Sequence, residues 1–338
     1  MQHYRVKCVW ILLTIVVAIV KSARVGDNCN IRRGGGSGTC KLINNCPSAQ
    51  RNIQNGIAPT NCGFSGGTAI VCCPQPGERQ RSGISESKCN EYAAIAKTCK
   101  ASLIVGGKGA KPGEFPYMVA LGWTSGDDVD YACGGTLVSD SYVLSAAHCL
   151  IDRRKGRPDH VYIGGHNLME DDGDKVPIAR FITHPKYNPI LKTNDITLLQ
   201  LTQSVTFDRF VLPACLWTNR NLNVNRVTAT GWGRTTDGGV PANSLQKVEL
   251  NIVSKETCEE NYEEIKGTQI CATGDNGGDT CQGDSGGPIF APYPNNNCMK
   301  YLVGVTSYGA KCGEPDFPAI YTRVASYIPW IESVVWAN

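Results

Sequence analysis

Seventeen cysteines in 338 residues are the strongest constraint on how this chain folds. One of them, Cys8, lies in an amino-terminal stretch with the marks of an export signal: Arg5 and Lys7, the apolar run Val9–Val20, then the small residues Ser22 and Ala23. A membrane span takes about 20 apolar residues, and neither this run nor any later stretch reaches that length. Residues 1–23 therefore read as a signal peptide, and the mature chain as secreted, extracellular and without a membrane span. An even set of sixteen cysteines remains, which in an oxidising compartment points to disulfides. No CxxC pair is matched by a second pair or by closely spaced histidines, so the spacing does not favour zinc.

Charge excludes another class of function. The first 23 residues hold Arg5, Lys7 and Lys21 and no acid, so the rest of the chain balances 30 basic against 30 acidic side chains. A neutral chain has no global field to hold a polyanion, and nucleic acid is not an expected partner. With 41% hydrophobic and 19% charged residues, a packed core is feasible.

The cysteines also mark a domain boundary. Six of them (Cys29, Cys40, Cys46, Cys62, Cys72, Cys73) crowd the segment 28–73, which is rich in Gly, Asn and Ser. So small a unit cannot bury enough apolar surface to stand alone, and three bridges at about 2–4 kcal/mol each would compensate. Its Gly-rich run 32–38 lacks the Lys-Ser/Thr ending of a phosphate loop and reads as a loop between cysteines. Residues 74–88 are polar and rich in Pro and Gly, and the whole of 74–103 is taken as linker and activation segment. From Ile104 to Asn338 the pattern changes to short β-rich runs, among them Tyr117–Leu121, Thr136–Leu144, Ile196–Leu201, Val227–Thr230 and Leu302–Ser307. Gly, Asn, Asp and Pro clusters separate them, which predicts an antiparallel all-β fold. Only the last segment has helical spacing, with Val324, Tyr327, Ile328, Ile331, Val334 and Val335 on one face.

Three segments of this second domain carry chemistry together. Leu144–Cys149 presents His148 between small residues and a cysteine, and Asn194–Leu199 puts Asp195 at the head of an apolar strand. Gly283–Pro288 sets Ser285 among glycines, where backbone can approach a substrate closely. Each alone is ordinary. A histidine, an acid and a serine in that order, in one exported β-rich domain, form a candidate nucleophile with its base and orienting acid.

With these motifs and Ile104-Val105-Gly106-Gly107, the segment 104–338 resembles the chymotrypsin/trypsin family of serine peptidases over essentially its whole length. The resemblance implies a double Greek-key β-barrel with a carboxy-terminal helix. It also implies Ser285 as nucleophile, His148 as base and acid, and Asp195 as the group that orients the imidazole. The N–H groups of Gly283 and Ser285 would form the oxyanion hole. By the same resemblance Asp279 lies at the base of the primary pocket, with Thr280, Ser307, Tyr308, Gly309 and Ala319 around it. A carboxylate there selects Arg or Lys. Ala319 stands where many trypsin-like members have Gly, which would narrow the pocket base.

In this family a cut before Ile104 frees an ammonium that pairs with Asp284, next to the nucleophile. An unpaired buried carboxylate is expensive, so Asp284 is expected to settle only when that cation arrives. Leu103 precedes the cut, where most relatives have a basic residue, and so cannot satisfy Asp279. The resemblance therefore implies an upstream activating protease with an apolar pocket. The segment 28–73 is similar to the clip domain of arthropod clip-domain serine proteases, and Leu103, Cys89–Tyr92 and Phe317–Arg323 point to the snake/persephone-type subgroup. That subgroup acts in haemolymph cascades of Toll signalling, melanisation or patterning, on downstream protease zymogens, and serpin-type inhibitors are the implied regulators. The family pairing implies the bridges Cys29–Cys72, Cys40–Cys62 and Cys46–Cys73 in the clip segment. In the peptidase it implies Cys133–Cys149, Cys258–Cys271 and Cys281–Cys312. For the remaining four, Cys89–Cys215 with Cys99–Cys298 is preferred, and the swapped pairing stays open.

No cofactor is expected. Relatives that bind calcium use the loop that here runs 165–174, but Gly165 and Lys175 stand where those relatives have Glu, so a solvated acidic loop is the preferred reading. Two other functions were weighed. A non-catalytic homologue acting as a binding cofactor usually lacks the nucleophile, and Ser285 is present. A venom or digestive protease needs neither a clip domain nor a special activator.

Overall fold

The structure, a computed structural model, describes residues 23–30, 37–54, 58–74, 83–96, 109–151, 156–170, 172–234, 238–275, 280, 283–294, 296, 298–309 and 317–336. They form two compact units that divide between Ser82 and Gly83. Residues 1–22 of the signal peptide, Leu103, Ile104, Asp279, Cys99, Cys281 and Cys312 lie outside the described residues.

In the first unit, strands β1 (Asn28–Asn30), β2 (Ser37–Leu42), β3 (Asn61–Ser65) and β4 (Thr68–Pro74) pair in the order β1-β2-β4-β3. Helix α1 (Pro47–Gln54) lies beside them. Gly66 and Gly67 both have positive φ (+55° and +81°), which lets a two-residue turn join β3 to β4 with the twist of the strands. The apolar core is only Cys46, Ala49, Val71 and Cys73, with Ile43 against it. Bridges Cys29–Cys72, Cys40–Cys62 and Cys46–Cys73 supply what that core lacks.

The second unit is built on two barrels. The first is closed by β5 (Met118–Ser125), β6 (Asp128–Leu137), β7 (Tyr142–Ser145), β8 (His160–Ile163), β9 (Asp174–Thr183) and β10 (Thr197–Leu201), ordered β10-β7-β6-β5-β8-β9. The run Thr136–Leu144, read as one strand, is two: the Val138 and Ser139 N–H groups both donate to the Tyr142 carbonyl, turning the chain at Ser139–Ser141. The second barrel follows short β11 (Cys215–Leu216) and holds β12 (Arg226–Gly231), β13 (Gln246–Val253), β14 (Gln269–Gly274), β15 (Pro288–Pro292), β16 (Lys300–Tyr308) and β17 (Ala319–Arg323). Its order is β16-β15-β12-β13-β14-β17, and pairing of β17 with β16 closes it. This is the all-β double-barrel architecture that the resemblance implies.

Helix α3 (Lys255–Glu259) starts on Ser254, whose hydroxyl accepts the Thr257 N–H at 3.1 Å. The carboxy-terminal helix α4 (Ile328–Val335) has Pro329 in its first turn, where no N–H is needed. Between the barrels, Tyr117 packs edge-on against Phe290 of β15, their ring centroids 4.6 Å apart, and Phe115 stacks on the same ring.

The segment read as linker contains a helix, α2 (Ile84–Ile95), and it belongs to the second unit. Cys89 bonds to Cys215, and Tyr92 packs edge-on against Phe207 in a cluster with Leu212 and Met299. The Glu332 carboxylate of α4 accepts the Ser85 N–H at 2.9 Å, a favourable charge at a helix amino terminus. Polar composition concealed this, because the residues of α2 that bury on the unit are few, chiefly Cys89, Tyr92 and small side chains. Replacing Cys89 and Cys215 together by Ser is expected to cost about 2–4 kcal/mol. Thermal unfolding and loss of amide-exchange protection in α2 measure it.

Candidate active site

His148 sits in a single 3-10 turn, Ala147–Leu150, directly after β7, and the bridge Cys133–Cys149 pins that turn to β6. Its Nδ1 lies 2.7 Å from Asp195 Oδ2, and its backbone N–H donates to Asp195 Oδ1 at 2.9 Å. Asp195 heads β10 and is fully buried. From the second barrel, the Ser307 hydroxyl donates to the same Oδ2 at 2.5 Å, and the Thr322 hydroxyl donates to the Asp195 carbonyl at 2.8 Å. Burial alone pushes the Asp195 carboxyl up. The hydrogen bond and charge of His148, with the bond from Ser307, outweigh that and hold it below the usual carboxylate range.

Ser307 was assigned to the pocket wall. Its side chain is buried and turned to Asp195, and the next residue, Tyr308, is the one that faces outward. The register of β16 shifts between Thr306 and Tyr308, so alternation along the strand could not have separated the two roles.

Ser285 lies between β14 and β15 on a turn where glycine is required. Gly283 and Gly286 have φ of +102° and +76°. A Cβ on Gly286 would come within 2.6 Å of the Gly134 carbonyl, and the Gly134 N–H donates to the Ser285 carbonyl at 2.7 Å. Among the described residues, the N–H groups of Gly283 and Ser285 have no acceptor, and no hydrogen bond joins the Ser285 hydroxyl to His148. Such nucleophile–base contacts are often long at rest and tighten with substrate.

The Asp284 carboxylate is seated in a cradle that sequence reasoning missed. Its Oδ1 accepts the Gly233 N–H at 2.8 Å, and a Cβ on Gly231 or Gly233 would fall onto it. The two glycines flanking Trp232 were the available signal. The Gly233 N–H stabilises the carboxylate in this seat.

Around the remaining pocket residues, the Thr280 and Tyr321 hydroxyls are 2.9 Å apart. Ala319 is buried and faces Gly309, whose added Cβ would stand 3.6 Å from the Ala319 Cβ. Tyr262 donates to the Pro318 carbonyl and packs edge-on to Tyr308. An imidazole fixed on a buried carboxylate, beside a hydroxyl flanked by two N–H donors without acceptors, is equipment for nucleophilic acyl transfer.

The comparisons agree with that chemistry. The family model for trypsin matches residues 104–331. This chain belongs to the trypsin family of serine proteases. It is 40% identical to the serine protease snk of Drosophila melanogaster over 92% of this chain and 79% of that one. It is 31% identical to a CLIP domain-containing serine protease of Bombyx mori over 95% and 96% respectively. Among solved structures it is similar to neuropsin, a serine protease of mouse brain, with a TM-score of 0.59 and 33% identity over 69% of this chain and all of that one. The chain is thus a trypsin-like serine endopeptidase of the arthropod clip-domain kind.

In this protease the Asp172 carboxylate of the loop 165–174 is taken up by donors of its own chain. Asp172 Oδ1 accepts from the Tyr162 hydroxyl and from the His166 N–H at 3.1 Å, and the Asn167 N–H lies 3.3 Å away. Partial burial pushes the Asp172 carboxyl up, but these bonds hold it below its ordinary range. A Cβ at Gly165 would collide with Tyr162 and Asp172. Among the described residues, the two clusters of possible metal ligands centre on Cys29, Cys62 and Cys72, and on Cys133, His148 and Cys149, whose sulfurs are consumed in disulfides.

Ser307→Ala is expected to lower kcat by about 10–100-fold, as loss of a buried bond to a charged group costs roughly 1.5–3 kcal/mol. Because the Asp195 pKa is depressed by folding, its stabilisation is fully present above the unfolded carboxylate pKa and is lost as pH falls through the folded value. Removing the Ser307 bond moves the folded value up toward the unfolded one, so in Ser307→Ala that loss should be smaller and complete at a higher pH, as read by stability against pH in near-UV circular dichroism.

Proposed function

We propose that this chain is the precursor of a secreted endopeptidase that cuts after Arg or Lys and is activated by a cut between Leu103 and Ile104. It then works within an extracellular proteolytic cascade. The observation that carries the catalytic part is the pair of N–H groups on Gly283 and Ser285, left without acceptors beside the Ser285 hydroxyl. Ser285 attacks the scissile carbonyl, and His148 takes its proton and returns it to the leaving amine. Asp195 stabilises the imidazolium, and the two N–H groups receive the oxyanion.

Activation draws support from the cradle of Asp284. Its carboxylate lies on Gly233 and adjoins Ser285 in sequence, which is compatible with its serving as the acid of the activation mechanism that the family resemblance implies. Leu103 does not match a pocket built on Asp279, so the product is a poor activator of its own precursor. That mismatch supports a different protease upstream, and a cascade is the arrangement that supplies one. Its substrates are proposed to be downstream protease zymogens, and its inhibitor a serpin-type protein. No helix among the described residues is long and apolar enough to cross a membrane.

Replacing Leu103 with an enterokinase-type site and cutting the purified precursor tests this reading. Arginyl and lysyl esters should then be hydrolysed, and Ser285→Ala should lower kcat by about 10⁶. Correctly bridged, cleanly cut protein that stays inert toward both esters would overturn it. Rapid self-cleavage of the unaltered precursor to an Ile104 terminus would remove the separate activator.

We also propose that the enzyme needs no calcium, since Asp172 occupies the centre of the loop. Chelation should leave Tm and activity unchanged. Asp172→Asn should lower Tm by about 2–4 °C, the shift expected for roughly 1 kcal/mol in a unit of this size.

A further inference from the structure

The Asp195 carboxylate is held by His148 and Ser307, but where it points also depends on the backbone that carries it. That backbone is anchored on both sides. The Asp195 carbonyl accepts the Thr322 hydroxyl at 2.8 Å. On the amino side stands Asn194, whose φ of +52° lies in the left-handed region that costs most residues free energy. The Ile196 N–H donates to the Asn194 carbonyl at 2.9 Å, so Asp195 is the central residue of a three-residue turn. Rotation of the Asn194 backbone would swing the Cα–Cβ bond of Asp195. Whatever fixes Asn194 therefore fixes the carboxylate.

Two hydrogen bonds fix it, one at each end of the Asn194 carboxamide. Nδ2 donates to the Lys186 carbonyl at 2.8 Å, within the same loop. A carbonyl can only accept, so the amide has one orientation and its Oδ1 is turned the other way. There it accepts the Tyr327 hydroxyl at 3.0 Å, from a residue 133 positions away, between the turn Val324–Ser326 and α4. Tyr327 is 4% exposed. Its ring packs edge-on against His184, with centroids 5.1 Å apart, and the His184 N–H donates to the Ile196 carbonyl at 3.1 Å. The ring that places this hydroxyl thus rests on a residue paired just beyond Asp195. A buried tyrosine hydroxyl ordinarily finds some partner. Here the partner is the residue next to the orienting acid, in a conformation whose cost the bond offsets.

We propose that Tyr327 is a positioning residue for catalysis, which through the Asn194 carboxamide fixes the backbone ahead of Asp195 and so the placing of the carboxylate that orients His148. This rests on the reading of Ser285, His148 and Asp195 as the catalytic groups, and adds to it a residue from outside those three. Without the hydroxyl, Asn194 keeps only its bond to Lys186, and the left-handed turn is free to relax. The carboxylate then samples positions from which it holds the imidazole less well, and a small misplacement of a catalytic group costs rate rather than substrate binding.

The test uses the cut, active enzyme and an arginyl ester, with active sites counted by the acyl-enzyme burst so that misfolded protein does not enter kcat. Tyr327→Phe keeps the ring and removes only the hydroxyl. It should lower kcat by about 3–10-fold, the size of one lost buried hydrogen bond, with KM unchanged. Asn194→Gly accepts the left-handed backbone but offers no carboxamide, and should lower kcat at least as far. Adding Tyr327→Phe to Asn194→Gly should then change nothing further. Asp195→Asn should lower kcat by about 10⁴-fold by itself, through the wrong imidazole tautomer. In that background Tyr327→Phe should change kcat by less than about twofold, because no orienting carboxylate remains to be misplaced. An unchanged kcat in Tyr327→Phe, with or without a fall in Tm, overturns the proposal, and so do equal losses in all three backgrounds. Failure of the wild type to cut any arginyl or lysyl ester, or an unaltered kcat in Asp195→Asn, overturns the catalytic reading beneath it.

Discussion

A fully buried carboxylate is the feature on which the active region depends. Asp195 has no exposure to solvent, and an ionised group so placed is tolerable only if donors surround it. They come from opposite sides: His148, through both ring and backbone, from the first barrel, and Ser307 from the second. Thr322, also of the second barrel, takes up the Asp195 carbonyl. Neither barrel alone can satisfy this acid. The same bonds that make its burial tolerable set how the barrels meet, and they orient the imidazole as a consequence.

The nucleophile's side of the site is governed by close approach. Gly134 on β6 lies against the Ser285 turn, where a Cβ on Gly134 would stand 3.0 Å from Gly287 Cα. Buried Ser145 also donates to the Gly134 carbonyl, at 2.8 Å. Side chains at these positions would separate the barrels and carry Ser285 away from His148. The turn also leaves the N–H groups of Gly283 and Ser285 without acceptors among the described residues, free to receive a ligand oxygen. Packing and catalysis thus constrain the same few glycines.

Those constraints explain what the sequence could reveal. His148, Asp195 and Ser285 were legible because each sits in a distinctive local context, and Gly283 and Gly286 because positive φ demands glycine. The two-barrel fold was legible through the resemblance of its motifs, since alternating strands alone give only an antiparallel class. Ser307 as a partner of Asp195 was not, because two residues 112 apart in sequence meet only through the register of β16 and β10. The cradle of Gly231 and Gly233 for Asp284 was hidden for the same reason. Within Thr136–Leu144, the cluster Ser139-Asp140-Ser141 is a turn signal that was there to be read, and the Ser139 hydroxyl accepts the Ser141 N–H at 3.3 Å.

Helix α2 shows that a family match and a folding unit need not share a boundary. The trypsin match begins at residue 104, whereas the compact unit begins at Gly83. Without residues 83–96, Cys215 would lose its partner and the buried cluster of Leu212 and Met299 would lose Cys89, Tyr92 and Ala96. Glu332 would also lose the helix terminus it caps. That loss lies on α4, next to the ring contacts of Tyr327 and Trp330 with His184, at the start of the loop that ends in Asp195. The segment ahead of the family domain is therefore part of its packing. A bond cut between Leu103 and Ile104 would free an amine while the disulfide at Cys89 kept that packing in place.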